Sequence, residues 1–338
     1  MQIEKQVNEL PPFDYRVIDD MITCARHAHM LSVALEIKLF EYLTMPNTAA
    51  QLSEEIGINT WKLEKLCDLL SALKFLDKDD DKFSLSDTSK TFFSNDSKFQ
   101  AINLIKHSLM EASPGIDMVK MLKEELDHSH EMWTYEETGW KALFEAPFMG
   151  GVQRTMRMLS THLDGSRIRS VLDLGGGPGT YSMALAETFQ GISSIVVADL
   201  PSIVESSTEA RLKEYGDSRI KSMPCDFRKD DIGTGYDLVF ASNSFYMVKT
   251  SIENILLRIN KSLNDGGYLV IKHVFLDKSS AFSTSLDFSM SLASNEQNLH
   301  SAQEFEDMLE KTGFEWQSIA KTDDPVYRDE VIIALKKS

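Results

Sequence analysis

The stretch from residue 170 to residue 201, SVLDLGGGPGTYSMALAETFQGISSIVVADLP, constrains the fold of this 338-residue chain more than any other. Its first five residues are mostly apolar, a composition typical of a strand buried on both faces. Four glycines follow at once, where the chain must turn tightly and let a ligand approach its backbone. Residues 180–190 have helical spacing, and residues 195–198 form a second apolar strand. This order of strand, turn, helix and strand predicts an open α/β sheet.

The acid that ends the second strand indicates what the turn binds. Asp199 lies 20 residues past the last glycine of the turn, where a carboxylate can accept hydrogen bonds from two ribose hydroxyls. The stretch therefore predicts a nucleoside site. A dinucleotide fingerprint, G-x-G-x-x-G/A, would need a small residue where Thr180 stands. The pattern present is D-x-G-x-G-x-G instead, formed by Asp173, Gly175, Gly177 and Gly179.

This pattern resembles motif I of the class I S-adenosylmethionine-dependent methyltransferases. Together, DLGGGPGTYS and VVADLP are similar to the small-molecule O-methyltransferase family that includes caffeate-type, hydroxyindole-type and bacterial polyketide enzymes. The resemblance covers essentially the full length of the chain. It implies an α/β, Rossmann-like seven-stranded methyltransferase sheet with an N-terminal all-α/winged-helix dimerisation domain. The alternative is a glycine-rich turn in an unrelated doubly wound domain.

The resemblance also implies a cofactor, S-adenosylmethionine, and the residues that hold it. Asp173 and the loop glycines Gly175, Gly177 and Gly179 would hold the methionine part and Asp199 the ribose, with Leu200 as a further cofactor-binding residue. Asp226 would reach the adenine amino group while Phe227 covers the ring. Ser242 stands where many members of the family have Lys, and it completes the predicted cofactor site.

The chain is expected to divide into three parts. Residues 1–100 would form the winged-helix dimerisation domain, 101–165 a helical linker and substrate-chamber segment, and 166–338 the cofactor-binding methyltransferase domain. The helix predicted over 15–43 carries apolar residues on more than one face, which predicts a subunit interface and hence a homodimer. Residues 48–85 have the helix–helix–wing order, with a capping box formed by Thr48 and Gln51.

Charge and composition disfavour several other functions. The net charge is −17, and the predicted wing tip, DKDDDK, would repel phosphate, so neither nucleic acid nor an anionic membrane is expected as a partner. Cys24, Cys67 and Cys225 form no C-x-x-C pair, so no zinc site or disulfide framework is indicated. The chain has no apolar signal core and no apolar run of membrane-spanning length, which predicts a cytoplasmic protein.

The sequence departs from the family's pattern at the catalytic residues. Members of the family place a His after strand four, but the corresponding segment here reads S-N-S-F-Y-M-V, with Tyr246 in place of that His. A Tyr with an ordinary pKa is a poor base at pH 7. We therefore predict that His273, on strand five, accepts the proton and that Tyr246 orients the acceptor by a hydrogen bond. The alternatives are that His273 is a buried core residue and that no residue acts as a base.

The predicted acceptor is a hydroxyl of an apolar, aromatic small molecule. Met156, Met290 and His300 are the candidate substrate-binding residues. Met156 lies in GGVQRTMRMLSTH, which matches the family's F-x-x-x-M-x-x-x-S helix except that Val152 replaces the Phe. Core filling is the alternative for the methionines, and a surface-loop position for His300. Because the His is absent, methyl transfer to a carbon or sulfur acceptor and a non-catalytic ligand-binding role also stay open.

Overall fold

The computed structural model describes residues 13–111, 122, 137–246, 248, 252–293 and 299–337. The chain forms two compact units, Met1–Ser113 (the N-terminal unit) and Pro114–Ser338 (the C-terminal unit). The helix Ile102–Glu111 belongs to the first unit, whereas the described residues from 137 onward belong to the second. The division into three functional parts stays a prediction.

The N-terminal unit is mostly helical. Its helices are α1 (Arg16–Glu36), a 3-10 turn (Leu39–Leu43), α2 (Ala49–Ile56), α3 (Thr60–Ala72), α4 (Asp87–Phe92) and α5 (Ile102–Glu111). Its strands are β1 (Asn47–Thr48), β2 (Leu76–Asp79) and β3 (Lys82–Leu85), in the order β1-β3-β2. The predicted capping box is confirmed, because the Thr48 hydroxyl accepts from the Gln51 N–H and the Gln51 side chain accepts from the Thr48 N–H.

The helix–helix–hairpin order predicted for residues 48–85 is present, and Leu52, Leu63 and Leu70 of α2 and α3 are fully buried with Phe83 of β3. In the first turns of α1, by contrast, apolar side chains are not buried by any of the described residues. Val17 is 70% and Met21 72% exposed. The winged-helix class and the dimerisation role of this unit stay predictions.

The C-terminal unit is built on a seven-stranded sheet. Its strands are β4 (Ser170–Leu174), β5 (Ser194–Asp199), β6 (Ile220–Pro224), β7 (Tyr236–Ser242), β8 (Leu263–His273), β9 (Phe314–Lys321) and β10 (Glu330–Lys336). The strand order is β6-β5-β4-β7-β8-β10-β9. The first five strands pair in parallel, and β10 runs antiparallel to both β8 and β9. The predicted α/β seven-stranded sheet is confirmed.

Helices cover both faces of this sheet. They are α6 (Glu137–Glu145), α7 (Gly151–His162), α8 (Thr180–Thr188), α9 (Pro201–Ile203), α10 (Glu209–Tyr215), α11 (Ile252–Ser262), α12 (Ala281–Ala293) and α13 (Ala302–Lys311); a π-helical segment, Val204–Thr208, joins α9 to α10, and 3-10 turns span Ala146–Met149 and Gly165–Arg167. Val171 faces α7 and α8, whereas Leu172, the next residue of β4, faces α11 and α13. A strand that is buried on both faces has a continuous run of apolar residues in its sequence, which explains the composition of β4.

Strand β8 begins at Leu263, which pairs with Tyr236, and a shift of register there accommodates Gly266 and Gly267. It ends at His273, because the next N–H, that of Val274, donates to the Tyr246 hydroxyl instead of a neighbouring strand. Among the described residues, no helix combines the length and apolarity needed to cross a membrane.

Candidate active site

The glycine-rich loop after β4 follows a path that few other residues could adopt. Gly175, Gly177 and Gly179 have φ of 71°, 53° and 78°, in the left-handed region that favours glycine. A Cβ at Gly175 would lie 2.5 Å from the Ser244 Cβ, so no side chain fits between the loop and the segment that follows β7. A Cβ at Gly177 would meet nothing within 4 Å. The loop is therefore packed on one side and open on the other.

Asp199, at the end of β5, is bound to this loop. One carboxylate oxygen accepts from the Gly177 N–H at 2.7 Å and the other accepts from the Leu200 N–H at 2.7 Å. Burial raises the pKa of Asp199, and these two backbone hydrogen bonds oppose the rise. A carboxylate can accept about four hydrogen bonds, so capacity for two ribose hydroxyls remains.

Asp173 lies beneath the loop. It is buried, and one of its oxygens accepts from the Ser182 hydroxyl at 2.6 Å. Its other oxygen, Oδ1, has no partner among the described residues. Burial raises the pKa of this carboxyl to about 7, and the charge of Asp199 adds to the rise. A buried acceptor without a donor, close to an open glycine loop, fits a ligand that brings a cationic amino group.

The predicted adenine-binding pair is also close to the loop. The ring of Phe227 lies 3.6 Å from the position of a Cβ at Gly175. Both oxygens of Asp226 are engaged by the Arg228 guanidinium, at 2.7 and 2.8 Å. This hydrogen-bonded pair lowers the pKa of Asp226 to about 2, although burial opposes the fall. The sequence analysis did not anticipate Arg228, and the contact of Asp226 with adenine stays a prediction.

The family of the chain follows from comparison with known proteins. The model of the O-methyltransferase domain family matches residues 116–315, a range that contains the loop together with Asp173, Asp199 and Asp226. The chain belongs to the O-methyltransferase domain family. It is accordingly an S-adenosylmethionine-dependent methyltransferase, which confirms the predicted cofactor and enzyme class.

Individual relatives of this O-methyltransferase family member are distant but align over most of its length. The chain is 23% identical over 275 residues to a 3-hydroxy-5-methyl-1-naphthoate 3-O-methyltransferase of Streptomyces sahachiroi, covering 77% of both chains. It is 23% identical over 341 residues to the N,N-dimethyltransferase OxyT of Streptomyces rimosus, covering 96% of this chain and 98% of that one. Human N-acetylserotonin methyltransferase, solved in complex with its cofactor, superposes with a TM-score of 0.76 at 20% identity over 98% of this chain and 100% of that chain.

The residues present in the methyltransferase fit the cofactor. The loop and Asp199 offer backbone approach and ribose acceptors, and Asp173 supplies the unpartnered carboxylate oxygen described above. The bound cofactor supplies an electrophilic methyl group on a positively charged sulfur. Ser244, which abuts Gly175, was missed by the sequence analysis; its buried hydroxyl has no partner within the described part of the chain.

Tyr246 and His273 lie together, as the catalytic hypothesis requires. Their rings stack with centroids 4.1 Å apart and planes 30° apart. The Tyr246 hydroxyl donates to Asn243 Oδ1 at 2.8 Å and accepts from the Val274 N–H at 3.3 Å. Burial raises the pKa of Tyr246, so this hydroxyl stays protonated. Its one proton is thus committed to Asn243.

His273 has the environment of a packing residue. It is 1% exposed, and the rings of Phe245, Phe275 and Phe305 lie 5.6–6.3 Å from its own ring centre. Burial lowers the pKa of His273 to about 3, with the charges of His300 and Lys272 as smaller contributions. Its Nδ1 has no hydrogen-bond partner among the residues described. A neutral imidazole with so low a pKa is a weak proton acceptor at pH 7, and the predicted role as a base stays untested.

A small apolar cluster lies beyond the ends of β7 and β8. Its buried members are Tyr246, Val274, Met290 and Leu299. The prediction had placed Met290 near the acceptor, and it packs here with Tyr246. His300 is partly exposed, with its Nδ1 3.9 Å from a Glu304 oxygen, and its carbonyl accepts from the Leu276 N–H. This arrangement suits an apolar acceptor wall with a polar edge.

Met156 and Ser242 occupy other positions. Met156 is buried on α7 in the core between that helix and the sheet, so core filling describes its contacts. Ser242 is the last residue of β7 and pairs with Lys272 of β8. The roles of both residues in binding stay predictions. Among the described residues, no group of three His, Cys, Asp or Glu is arranged to hold a metal ion.

A buried ion cluster at the end of β8 was not anticipated. The Lys272 ammonium contacts the Asp329 carboxylate and lies 3.4 Å from Asp324, and the three side chains are fully buried. Burial lowers the pKa of Lys272, and the neighbouring Asp324 carboxylate opposes the fall. The signal was available, because a Lys in the apolar run YLVIKHVFL requires a buried partner. The sequence alone does not identify that partner.

Proposed function

We propose that the protein transfers the methyl group of S-adenosylmethionine to a hydroxyl of an apolar, aromatic small molecule. The observation that carries the proposal is the apolar cluster around Tyr246 and Met290, which lies where β7 and β8 end. Ligands of open α/β sheets bind outside the carboxyl ends of the strands. Ser244 links this end of β7 directly to Gly175 of the loop. Cofactor and acceptor would therefore meet at Asn243 and Ser244.

Positioning is the main contribution expected from this site. Transfer is an in-line displacement that needs the acceptor atom roughly 3 Å from the methyl carbon. Neither of the two predicted catalytic residues is a strong base, since the imidazole of His273 is buried with a pKa of about 3 and Tyr246 has its proton committed. We therefore assign removal of the acceptor's proton to neither of them.

The same observation favours a second candidate, an acceptor other than a hydroxyl. A neutral amine attacks with its own lone pair, and an acidic thiol or an enol-like carbon loses its proton with little help. The relative OxyT is an N,N-dimethyltransferase, whereas the Streptomyces sahachiroi relative is an O-methyltransferase. Hydroxyl transfer is preferred here because the family model that matches the chain is that of the O-methyltransferase domain.

We also propose that the protein is a homodimer. The exposed apolar side chains of the first turns of α1 are Val17, Ile18, Met21 and Ile22, and Phe13 and Tyr15 are exposed just before the helix. An apolar stripe of this size on one helix is more often covered than left in water. The family resemblance predicts an N-terminal dimerisation domain, so the expected partner is a second copy of the chain. A cytoplasmic location stays a prediction.

Asp199→Asn tests the cofactor assignment. The change keeps the size of the side chain, removes its charge and turns an N–H group toward one of two backbone N–H donors. Loss of one charge-assisted hydrogen bond costs about 1.5–3 kcal/mol, or at least about tenfold in affinity. Titration calorimetry with S-adenosylmethionine measures the loss. The control is Asp265→Asn, whose carboxylate is 85% exposed. Unchanged affinity in Asp199→Asn would refute the ribose role.

The acceptor is tested by mass spectrometry of a cell extract incubated with the protein and isotopically labelled cofactor. Label in the ether of an aromatic methoxy group supports the proposal. Label on nitrogen, sulfur or carbon would replace it with the second candidate. Cofactor binding without labelled product in extracts rich in aromatic compounds would favour a non-catalytic ligand-binding role.

A further inference from the structure

The two hydrogen bonds of the Tyr246 hydroxyl determine which way the Asn243 amide points. The Val274 N–H donates to this hydroxyl, so the single hydroxyl proton is left for Asn243. With the amide turned over, its NH₂ group would face a hydroxyl that already accepts, and the buried hydroxyl proton would have no acceptor. The carbonyl oxygen of Asn243 therefore faces Tyr246, and its two N–H donors face away.

The backbone holds Asn243 in an unusual conformation. Its φ is 53°, in the left-handed region that Asn tolerates better than most residues. Its N–H donates to the Lys272 carbonyl at 2.7 Å, which ties it to the end of β8. Such conformations cost energy and persist only where the surrounding structure holds them in place. They are found most often at functional sites. The side chain is thus held at both its backbone and its carbonyl oxygen.

The amide nitrogen of Asn243 is the unused part of this side chain. It makes no hydrogen bond with any residue that the structure describes. Asn243 is partly exposed, whereas Tyr246 is buried. The next residue, Ser244, touches Gly175 of the cofactor loop. Asn243 is therefore next in sequence to the residue at which the cofactor loop and the end of β7 meet.

Resting on the proposed function, we infer that the Asn243 amide donates a hydrogen bond to the acceptor oxygen and selects ionised hydroxyls, phenolate or enolate, over amines. A phenolate oxygen has three lone pairs, so one can attack while another accepts from Asn243. A neutral amine has one lone pair, which must attack the methyl carbon and cannot accept. The amine N–H groups would need an acceptor, whereas the end of the Asn243 amide that faces away from Tyr246 carries only donors.

This arrangement reduces the need for a protein base. Hydrogen bonds to an ionised acceptor are roughly twice as strong as neutral ones, so the donor lowers the pKa of the bound hydroxyl. The hydroxyl loses its proton to water before transfer. The oxygen–carbon bond then forms as the sulfur–carbon bond breaks, and the bonding pair stays on sulfur. The negative charge of the oxygen and the positive charge of the sulfonium are both neutralised.

The test uses 4-nitrophenol as the probe, bound to the full-length protein loaded with S-adenosylhomocysteine. The absorbance of its phenolate form, followed with pH, gives the pKa of the bound hydroxyl. We expect the wild-type protein to lower this pKa by about one unit relative to water, the effect of one charge-assisted hydrogen bond. Asn243→Asp keeps the oxygen that accepts from Tyr246 and replaces the donors with a negative charge. It should raise the bound pKa above the value in water.

The controls separate this inference from the proposed function. Asn95→Asp makes the same change at an exposed position in the N-terminal unit and should titrate like wild type. Failure of the wild-type protein to bind S-adenosylmethionine by calorimetry would refute the proposed function. If cofactor binding is intact, three results would refute only the role of Asn243. They are an unshifted nitrophenol pKa, equal titration of wild type and Asn243→Asp, and no binding of nitrophenolate. A wild-type preference for 1-naphthol over 1-naphthylamine in methyl transfer that Asn243→Asp lowers at least tenfold would support it.

Discussion

Replacing Lys272 with Met is expected to destabilise the folded protein by about 3–5 kcal/mol. The ammonium of Lys272 contacts Asp329 and lies 3.4 Å from Asp324, and none of the three side chains has exposed area. Met has a similar length and no charge, so the change in packing is small. What remains is a pair of buried carboxylates without a counter-ion.

The size of this loss in stability depends on the hydrogen bonds that the two carboxylates retain. The Thr322 hydroxyl still donates to Asp329, and the N–H groups of Val326 and Tyr327 still donate to Asp324. These bonds stabilise the charges only in part, because the two carboxylates repel each other once the ammonium is gone. Removal of one member of a buried ion group typically costs the amount stated above, whereas replacing the whole group by uncharged residues is close to neutral.

The assay is urea unfolding followed by tryptophan fluorescence and circular dichroism at pH 7.5. Lys90→Met is the matched control, since Lys90 forms an exposed ion pair with Asp87 at 3.3 Å and should lose less than about 0.5 kcal/mol. A triple variant that combines Lys272→Met with Asp324→Asn and Asp329→Asn should recover most of the lost stability. A loss below about 1 kcal/mol in Lys272→Met, or no recovery in the triple variant, would refute the ion-cluster argument.

Two further predictions concern His273 and α1. Because burial lowers the pKa of His273 to about 3 from 6.5, its contribution to stability is present above pH 6.5 and is lost as the pH falls toward 3. His273→Phe should therefore weaken the dependence of unfolding free energy on pH between 6.5 and 5, by up to about 1.4 kcal/mol per pH unit, in urea titrations; an unchanged slope would mean that the imidazole is accessible to protons. Met21→Glu places a charge in the exposed stripe of α1 and should convert a dimer to a monomer by light scattering, whereas Met110→Glu, also at an exposed methionine, should not. A dimer that survives Met21→Glu, or a monomeric wild type, would place the interface elsewhere or remove it.

Local features of the chain allowed the cofactor end of the site to be predicted. The strand β4, the loop glycines and helix α8 are contiguous, and each is specified by nearby residues: apolar side chains on both strand faces, then glycines at positive φ. Asp199 comes next to the loop because β5 pairs in register with β4, a consequence of the same strand–helix–strand unit. The predicted capping box of α2 was confirmed for the same reason, since Thr48 and Gln51 are three residues apart.

The acceptor end of the site was decided by residues that are distant in sequence. Tyr246 reaches Val274 across 28 residues, and Lys272 reaches Asp324 and Asp329 across 52 and 57, because β7, β8 and β10 are neighbours in the sheet. No local spacing indicates such partners. The pKa of His273 depends likewise on desolvation, to which Phe305 of α13 and Phe245 after β7 contribute. The amino-acid sequence alone thus predicts what binds at a contiguous loop. At the strand ends, hydrogen-bond direction and proton affinity depend on which elements the fold brings together.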